Sequence, residues 1–259
     1  MSRLPPALLC VRAARAAFVF LTRVPVGGFP YSAEEWRWAP AYFPLVGLAL
    51  GAALGGLDAL LQPLGAFAAA LGALALSLLA TGAFHEDGLA DTSDALGGGF
   101  DPDKILLILK DSRVGTFGAS ALALSIVGRA ALLARLGPGA ALALPLIGMA
   151  ARAAPVWQMA LLPYVSGPGS RSSAVARAGL PQALVATAWP LLASSAMVAT
   201  GRASAPRLAA VAGAMALVTL LSGRRYMRRL GGVTGDFLGA TEQLCELSGY
   251  AALAWGLPS

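Results

Sequence analysis

The sequence predicts an all-α fold, a polytopic integral membrane helix bundle of about six to eight membrane-embedded helices. Three observations predict it. Only 12% of the 259 residues are charged, against roughly 25% in an ordinary globular protein. Mean hydropathy is +0.70. Several apolar stretches approach or exceed the roughly 20 residues that a helix needs to cross a bilayer.

Six such stretches stand out in order: Ala41 to Leu61, Leu64 to Phe84, Phe117 to Leu136, Ala140 to Leu162, Ala183 to Thr200 and Leu208 to Leu221. Small residues dominate them, as in "GLALGAALGG" from Gly47 to Gly56, and small residues let helix backbones approach closely where water provides no hydrophobic drive. Before the first stretch, Arg3, Arg12 and Arg15 precede "AAFVFL" without a small-residue cleavage site, so this segment reads as an interfacial or partly inserted amphipathic helix, with a true span as the alternative. Trp36, Trp38 and Tyr42 read as an interfacial aromatic belt. Asp58 is expected in solvent at the far end of its span. Cys10 and Cys245 lie far apart in apolar surroundings and suggest neither a disulfide framework nor a zinc site. No long Pro/Ser linker or solenoid period divides the chain, so residues 1–259 form a single integral membrane catalytic domain.

If the six segments alternate, the stretches Thr22 to Pro40, His85 to Thr116, Pro163 to Gln182 and Ser222 to Gly235 emerge on one side. That side carries Arg23, Arg37, Lys104, Lys110, Arg113, Arg171, Arg177, Arg224, Arg225, Arg228 and Arg229; the other carries Arg135, Arg202 and Arg207. The positive-inside rule makes the richer side cytoplasmic. The net charge of +6 then reflects orientation and needs no nucleic-acid partner. Arg129 and Arg152 fall within spans, where an unpaired charge is costly. Interior pairing is expected for both, with snorkelling an alternative for Arg152.

The chemistry concentrates in "HEDGLADTSD", His85 to Asp94, which holds four of the thirteen acidic residues. Asp87, Asp91 and Asp94 are spaced i, i+4, i+7, which places them within about 60° of arc on one helix face while His85 and Glu86 point elsewhere. Like charges so close call for a divalent cation or protonation. Mg2+ takes oxygen ligands and commonly bridges carboxylates to substrate phosphates, so the three aspartates are the candidate metal ligands and the chemistry is transfer at a phosphoryl or pyrophosphate centre. A solvated acidic loop is the plain alternative. His85, the only histidine, orders a carboxylate, acts as acid or base, or caps the span.

Two further elements fall on the same face. "KDSRVGTFG" joins Lys110, Asp111 and Arg113 to a turn that opens a helix, a phosphate-favouring arrangement that is equally an ordinary positive flank with a helix cap. "GRRYMRRLGGVTGDFLGATEQLCE" sets four arginines before a flexible turn and then Asp236, Glu242 and Glu246. Arginine forks suit phosphate oxygens, although "RRYMRR" alone also fits a topology determinant that touches lipid headgroups.

The block "GAFHEDGLADTSDALGGG", followed by "KDSRVGTFG" and "GGVTGDFLGATEQLCEL", resembles the cobalamin synthase (adenosylcobinamide-GDP ribazoletransferase) family; "FLTRVPV" and "YFPLVGLALG" resemble its N-terminal signatures. The resemblance implies a bacterial inner-membrane enzyme with its active site facing the cytoplasm. It would join adenosylcobinamide-GDP and α-ribazole, or its 5′-phosphate, to give adenosylcobalamin, or its phosphate, and GMP, with Mg2+. The family's acidic motif maps onto His85, Asp87, Asp91 and Asp94, and its glycine-aspartate motif onto Gly235 and Asp236. Around "PYVSGPG" the chain departs from many relatives, with Val165 and Ser166 where an arginine is expected.

On this mechanism Asp94 or Asp111 accepts the proton of the attacking hydroxyl, and Lys110, Arg113 and Arg225 neutralise phosphate oxygens. Membrane lipid is the surrounding partner, and a homo-oligomer or an association with other enzymes of the pathway stays open. A phosphotransferase of the CDP-alcohol type is an alternative, although "DGLADTSD" lacks the Ala-Arg pair of that pattern. An ion-coupled secondary transporter is a further one, and it would require midplane acids and inverted repeats.

Overall fold

The computed structural model describes residues 5–165 and 178–256. Arg3, Arg171, Arg177 and most of "PYVSGPG" lie outside the described residues. Among those described there is no strand, only an isolated parallel bridge between Tyr164 and Val233. The helices run α1 (Pro6–Leu21), α2 (Ala33–Trp38), α3 (Phe43–Leu61), α4 (Ala66–Thr81), α5 (Phe84–Gly98), α6 (Pro102–Ile108), α7 (Thr116–Leu136), α8 (Ala140–Leu161), α9 (Leu180–Ala199), α10 (Ala205–Leu230) and α11 (Gly235–Ala254).

By length and composition, four continuous stretches could cross a membrane: Ala33–Leu64, Thr116–Leu161, Leu180–Ala199 and Ala205–Leu230; the α4–α5 pair, bent by 91°, is a fifth if it counts as one span. The second stretch contains two arms. Arg152 follows Arg129 by twenty-three residues, about 35 Å along an unbroken helix, yet both reach the Glu246 carboxylate, at 3.3 and 2.7 Å. The chain therefore doubles back at Gly137–Gly139, where Gly137 takes a positive φ of 54°.

Close helix contact follows the small-residue pattern. Gly47, Gly51 and Gly55 form one stripe of α3, and a Cβ on any of them would overlap α8 backbone between Ala141 and Gly148. No larger residue fits there, so the two axes approach by backbone contact. An apolar core joins Leu54, Leu74, Leu133, Leu144, Ile147, Met215 and Tyr250 across α3, α4, α7, α8, α10 and α11.

Three expectations need correction. The four arginines from Arg224 to Arg229 belong to α10, which runs on to Leu230 before Gly231 caps it at φ 79°; arginine is a good helix former, and cations suit a helix C-terminus. Asp58 is buried, and Gln62 one turn later donates to it at 2.9 Å. Trp36 forms no simple lipid-facing belt, since its ring packs against Phe20, Phe29 and Tyr31. In addition α11, which carries Glu242 and Glu246 and is absent from the six apolar stretches, lies at the centre against α5, α7, α8 and α10.

The N-terminal α1 is a 16-residue helix packed on α2 and α3, with Arg12 paired to Glu35 of α2. Both cysteines are free. Arg152 does not snorkel; it is 4% exposed. The loops expected on one side meet at one end of the bundle. The Arg23 amide donates to Ala80 at 2.7 Å, Arg229 donates to Gly99, and Pro163 and Val165 exchange backbone bonds of 2.8 Å with Val233.

Candidate active site

The site begins at the break between α4 and α5. Gly82 ends α4 at φ 69° and Ala83 follows at φ 59°. Two successive left-handed residues turn the axis sharply, and a non-glycine residue holds that conformation only at a cost of roughly 1–2 kcal/mol. The turn is fixed by the Ala83 amide on Leu78 and the Asp87 amide on Ala83, at 2.9 and 2.8 Å. It presents Glu86 and Asp87 in the first turn of α5, where a helix N-terminus favours anions. The Arg23 side chain from "FLTRVPV" lies across Gly82, so closely that a Cβ there would overlap its guanidinium. Sequence reasoning treated Arg23 only as a topology determinant.

From this start the aspartates form a face. Asp87 is exposed, and Asp91 and Asp94 are partly so. Helix α11 completes it, because Gly88 packs on the α11 backbone: a Cβ on Gly88 would lie 2.8 Å from the Asp236 carbonyl oxygen. Asp91 consequently feels the like charges of Asp87, Asp236 and Asp94. Among the described residues, none of the four aspartates has a lysine, arginine or histidine within ion-pair distance. Asp94 has another task as well. It accepts the amides of Gly115 and Gly118 at 2.7 and 2.9 Å, capping α7 and pinning α5 to it.

Among the described residues, no group of three or more His, Cys, Asp or Glu side chains is assembled to hold a metal ion. The aspartate trio is therefore an open face and not a closed cage. The donors still suit magnesium, which keeps several waters and commonly uses one or two carboxylates together with substrate phosphates. Four acids without a cation are the electrostatic condition that such an ion relieves.

The other expected residues are placed as follows. Asp111 and Arg113 pair with each other in the exposed α6–α7 loop, at 2.6 Å, and the guanidinium pulls the Asp111 carboxyl down to about 2. A carboxylate so acidic is a weak proton acceptor at neutral pH. Lys110 and Arg225 are exposed; from the four-arginine run it is Arg229 that reaches α5, at the Gly99 carbonyl. Gly235 opens α11 beside Asp236, with Thr234 accepting the Phe237 amide as N-cap at 3.2 Å. His85 is buried, its Nδ1 is 3.8 Å from Glu242 Oε2, and it lines a cavity of about 30 Å³ with Gly235, Gly239 and Arg152.

Directly beneath lies a second acidic group that sequence reasoning did not assemble. Arg129 Nη1 is 2.7 Å from Glu246 and its Nη2 is 3.4 Å from Glu86. Arg152 Nη1 is 3.0 Å from Glu242 and 3.3 Å from Glu246. All five side chains are buried. The available signal was the need of Arg129 and Arg152 for acids, together with Glu242 and Glu246 one turn apart on an apolar helix.

Comparison with known proteins decides the family. The family model described as cobalamin-5-phosphate synthase matches residues 13–254. The chain belongs to that family. A relative from Polaromonas sp. is 40% identical across 95% of this chain and 98% of its own length. Relatives from Leptothrix cholodnii and Albidiferax ferrireducens are 40% and 38% identical, each across 92% of this chain. All three are named adenosylcobinamide-GDP ribazoletransferase. No solved structure matches. Every site residue named above falls inside the matched span.

Proposed function

We propose that this chain catalyses the reaction its relatives are named for: transfer of the phosphocorrinoid part of adenosylcobinamide-GDP to α-ribazole, or to its 5′-phosphate, with release of GMP. One observation carries the reading within this family. The face of Asp87, Asp91, Asp94 and Asp236 opens to solvent with no cationic side chain in ion-pair contact among the described residues, next to Arg23 and the loop of Lys110 and Arg113. The family assignment displaces the CDP-alcohol phosphotransferase and the ion-coupled transporter.

In the proposed reaction the ribazole hydroxyl oxygen bonds to the phosphorus nearer the corrinoid, the bridging P–O bond breaks, and its electrons leave with GMP. Asp87 and Asp91, with Asp94 and Asp236 on the same face, would hold magnesium; when bound, the ion would supply positive charge against the pyrophosphate. The hydroxyl proton passes to a carboxylate of this face. Asp94, whose oxygens hold two amides, and Asp111, which is held by Arg113, are poorly suited to that role. Lys110, Arg113, Arg225 and Arg23 are the cations available to the phosphate oxygens. His85, buried beside Glu242, orders the start of α5 and does not meet substrate.

The same reading places the protein in the bacterial cytoplasmic membrane with the aspartate end inside, supported by the excess of arginine and lysine at that end. The direct test supplies purified protein with adenosylcobinamide-GDP, α-ribazole and Mg2+ and measures GMP. Stoichiometric GMP and ribazole-containing product are expected. Absence of GMP with folded wild-type protein in micelles or liposomes would remove the assignment.

A further inference from the structure

Glu86 and Asp87 leave α5 at adjacent positions, about 100° apart around the helix. Asp87 goes to the open face. Glu86 goes inward to Arg129, and through it the chain of contacts continues to Glu246, then to Arg152, and ends at Glu242. The contacts join four helices, with α5, α7 and α8 each contributing one charged residue and α11 two. They lie just behind the crossing where Gly88 of α5 rests on α11 at Asp236 and Gly239. Two backbones held at van der Waals distance have no side-chain cushion, so a rotation of α5 about that contact would carry Asp87 and Asp91 directly away from Asp236.

A further polar contact beside the crossing, His85 Nδ1 of α5 to Glu242 Oε2 of α11 at 3.8 Å, joins α5 to the same buried group. Asp94 is tied to α7 two turns further on. At the near end α5 begins at the left-handed pair Gly82 and Ala83, held by backbone bonds only. We propose that the buried contacts of Glu86, Arg129, Glu246, Arg152 and Glu242 form a positioning clamp that sets the angle of α5 on α11, and thereby the spacing of Asp87 and Asp91 from Asp236. The proposal rests on the reading of the aspartate face as the magnesium site. None of the five residues touches substrate; they act through the aspartates, as partners behind metal ligands do, where loss of one such partner typically costs about 10–100-fold in metal affinity.

Charge balance supplies the test. Three carboxylates face two guanidinium groups, so Glu86→Gln leaves two of each; it cuts the Glu86–Arg129 contact and leaves the 3.8 Å contact of His85 with Glu242 in place. The full chain in detergent micelles is titrated with Mn2+ alone and followed by electron paramagnetic resonance. Glu86→Gln is expected to melt within a few degrees of wild type and to raise the half-saturating Mn2+ concentration about tenfold. Glu242→Gln, which likewise leaves two carboxylates against two guanidinium groups, must show the same shift and stands in if Glu86→Gln does not fold.

Leu253→Ala removes a core contact about five turns beyond Asp236 on α11. It should melt lower and bind Mn2+ as wild type does. Wild-type affinity in a folded Glu86→Gln protein, or an equal loss of affinity in Leu253→Ala, overturns the clamp. Failure of the wild type itself to bind Mn2+ is a different result, since it removes the metal reading and the clamp's target with it.

Discussion

Glu86 is 4% exposed and lies beside Arg129, while its neighbour Asp87 stands in solvent among other aspartates. The contrast extends to both groups of acids. The inner glutamates Glu86, Glu242 and Glu246 are shared out between two buried arginines; among the described residues the outer aspartates Asp87, Asp91, Asp94 and Asp236 have no cationic side chain in ion-pair contact. Water explains the difference. A buried carboxylate loses its hydration and needs a fixed protein cation at all times. A carboxylate at the mouth keeps its water, so its countercharge can be exchangeable and can arrive with substrate. Side-chain length fits each task, since glutamate reaches across a helix interface and aspartate holds its oxygens close to the backbone that aims them.

The contrast is broken most sharply on the outer side. Asp91→Asn should lower turnover by roughly 10³-fold, the scale of losing one charge-stabilising or proton-accepting group. It should leave the melting temperature unchanged or slightly higher, because one like charge leaves a repelling set. GMP release and thermal melting of the same sample check both parts. Normal turnover in Asp91→Asn would take Asp91 out of the chemistry.

On the inner side the signs reverse. Arg129→Met leaves Glu86 without a partner and Glu246 dependent on Arg152 alone. Removing one partner of a buried pair costs about 3–5 kcal/mol, so the protein should unfold at markedly lower temperature or fail to accumulate. Adding Glu86→Gln to Arg129→Met removes one stranded charge and should recover part of the loss. A fluorescence melt of the single and double variants distinguishes them, and equal melting points would mean that Arg129 and Glu86 are not coupled.

The bend that opens α5, ahead of both groups, gives a smaller effect. Ala83→Gly relieves roughly 1–2 kcal/mol of left-handed strain and gives back roughly 0.5–1 kcal/mol in chain entropy. The net expectation is a stabilisation of about 0.5–1 kcal/mol, read as a rise in melting temperature, with Ala83→Val moving it the other way. A fall on Ala83→Gly would show that the Ala83 methyl makes packing contacts that outweigh the backbone.

What could be read from the sequence follows the same division. Apolar length and small-residue spacing are local properties, and the glycine stripe of α3 and the acidic face of α5 repeat them directly. The i, i+4, i+7 spacing already separated Asp87, Asp91 and Asp94 from Glu86. Pairing is not local. The bond from Asp94 to Gly115 and Gly118, and the meeting of Glu246 with arginines from two helices, depend on chain reversals that no spacing encodes. Helix α11 is absent from the six apolar stretches because its acids lower its hydropathy, although they are the acids that Arg129 and Arg152 require. For α10 the charged run hid a helix, since a cluster of arginines reads as a loop until the helix-forming tendency of arginine is weighed.

The mildest expectation concerns the exposed pair of Asp111 and Arg113, the counterpart of the buried pairs in full water. Arg113 holds the Asp111 carboxyl at about 2 against an ordinary 3.8. A depressed carboxyl contributes stability above its unfolded value, and the contribution disappears as pH falls through the folded one. Any difference in melting temperature between wild type and Arg113→Ala should thus be constant above about pH 4 and vanish towards pH 2. It should also be small, because both groups are hydrated and screened, and it should shrink further in salt. Turnover tells the two roles of Arg113 apart. If Arg113 meets the phosphates, Arg113→Ala raises KM for adenosylcobinamide-GDP at neutral pH while stability hardly moves; if it only braces the α6–α7 loop through Asp111, then Asp111→Asn reproduces the whole effect.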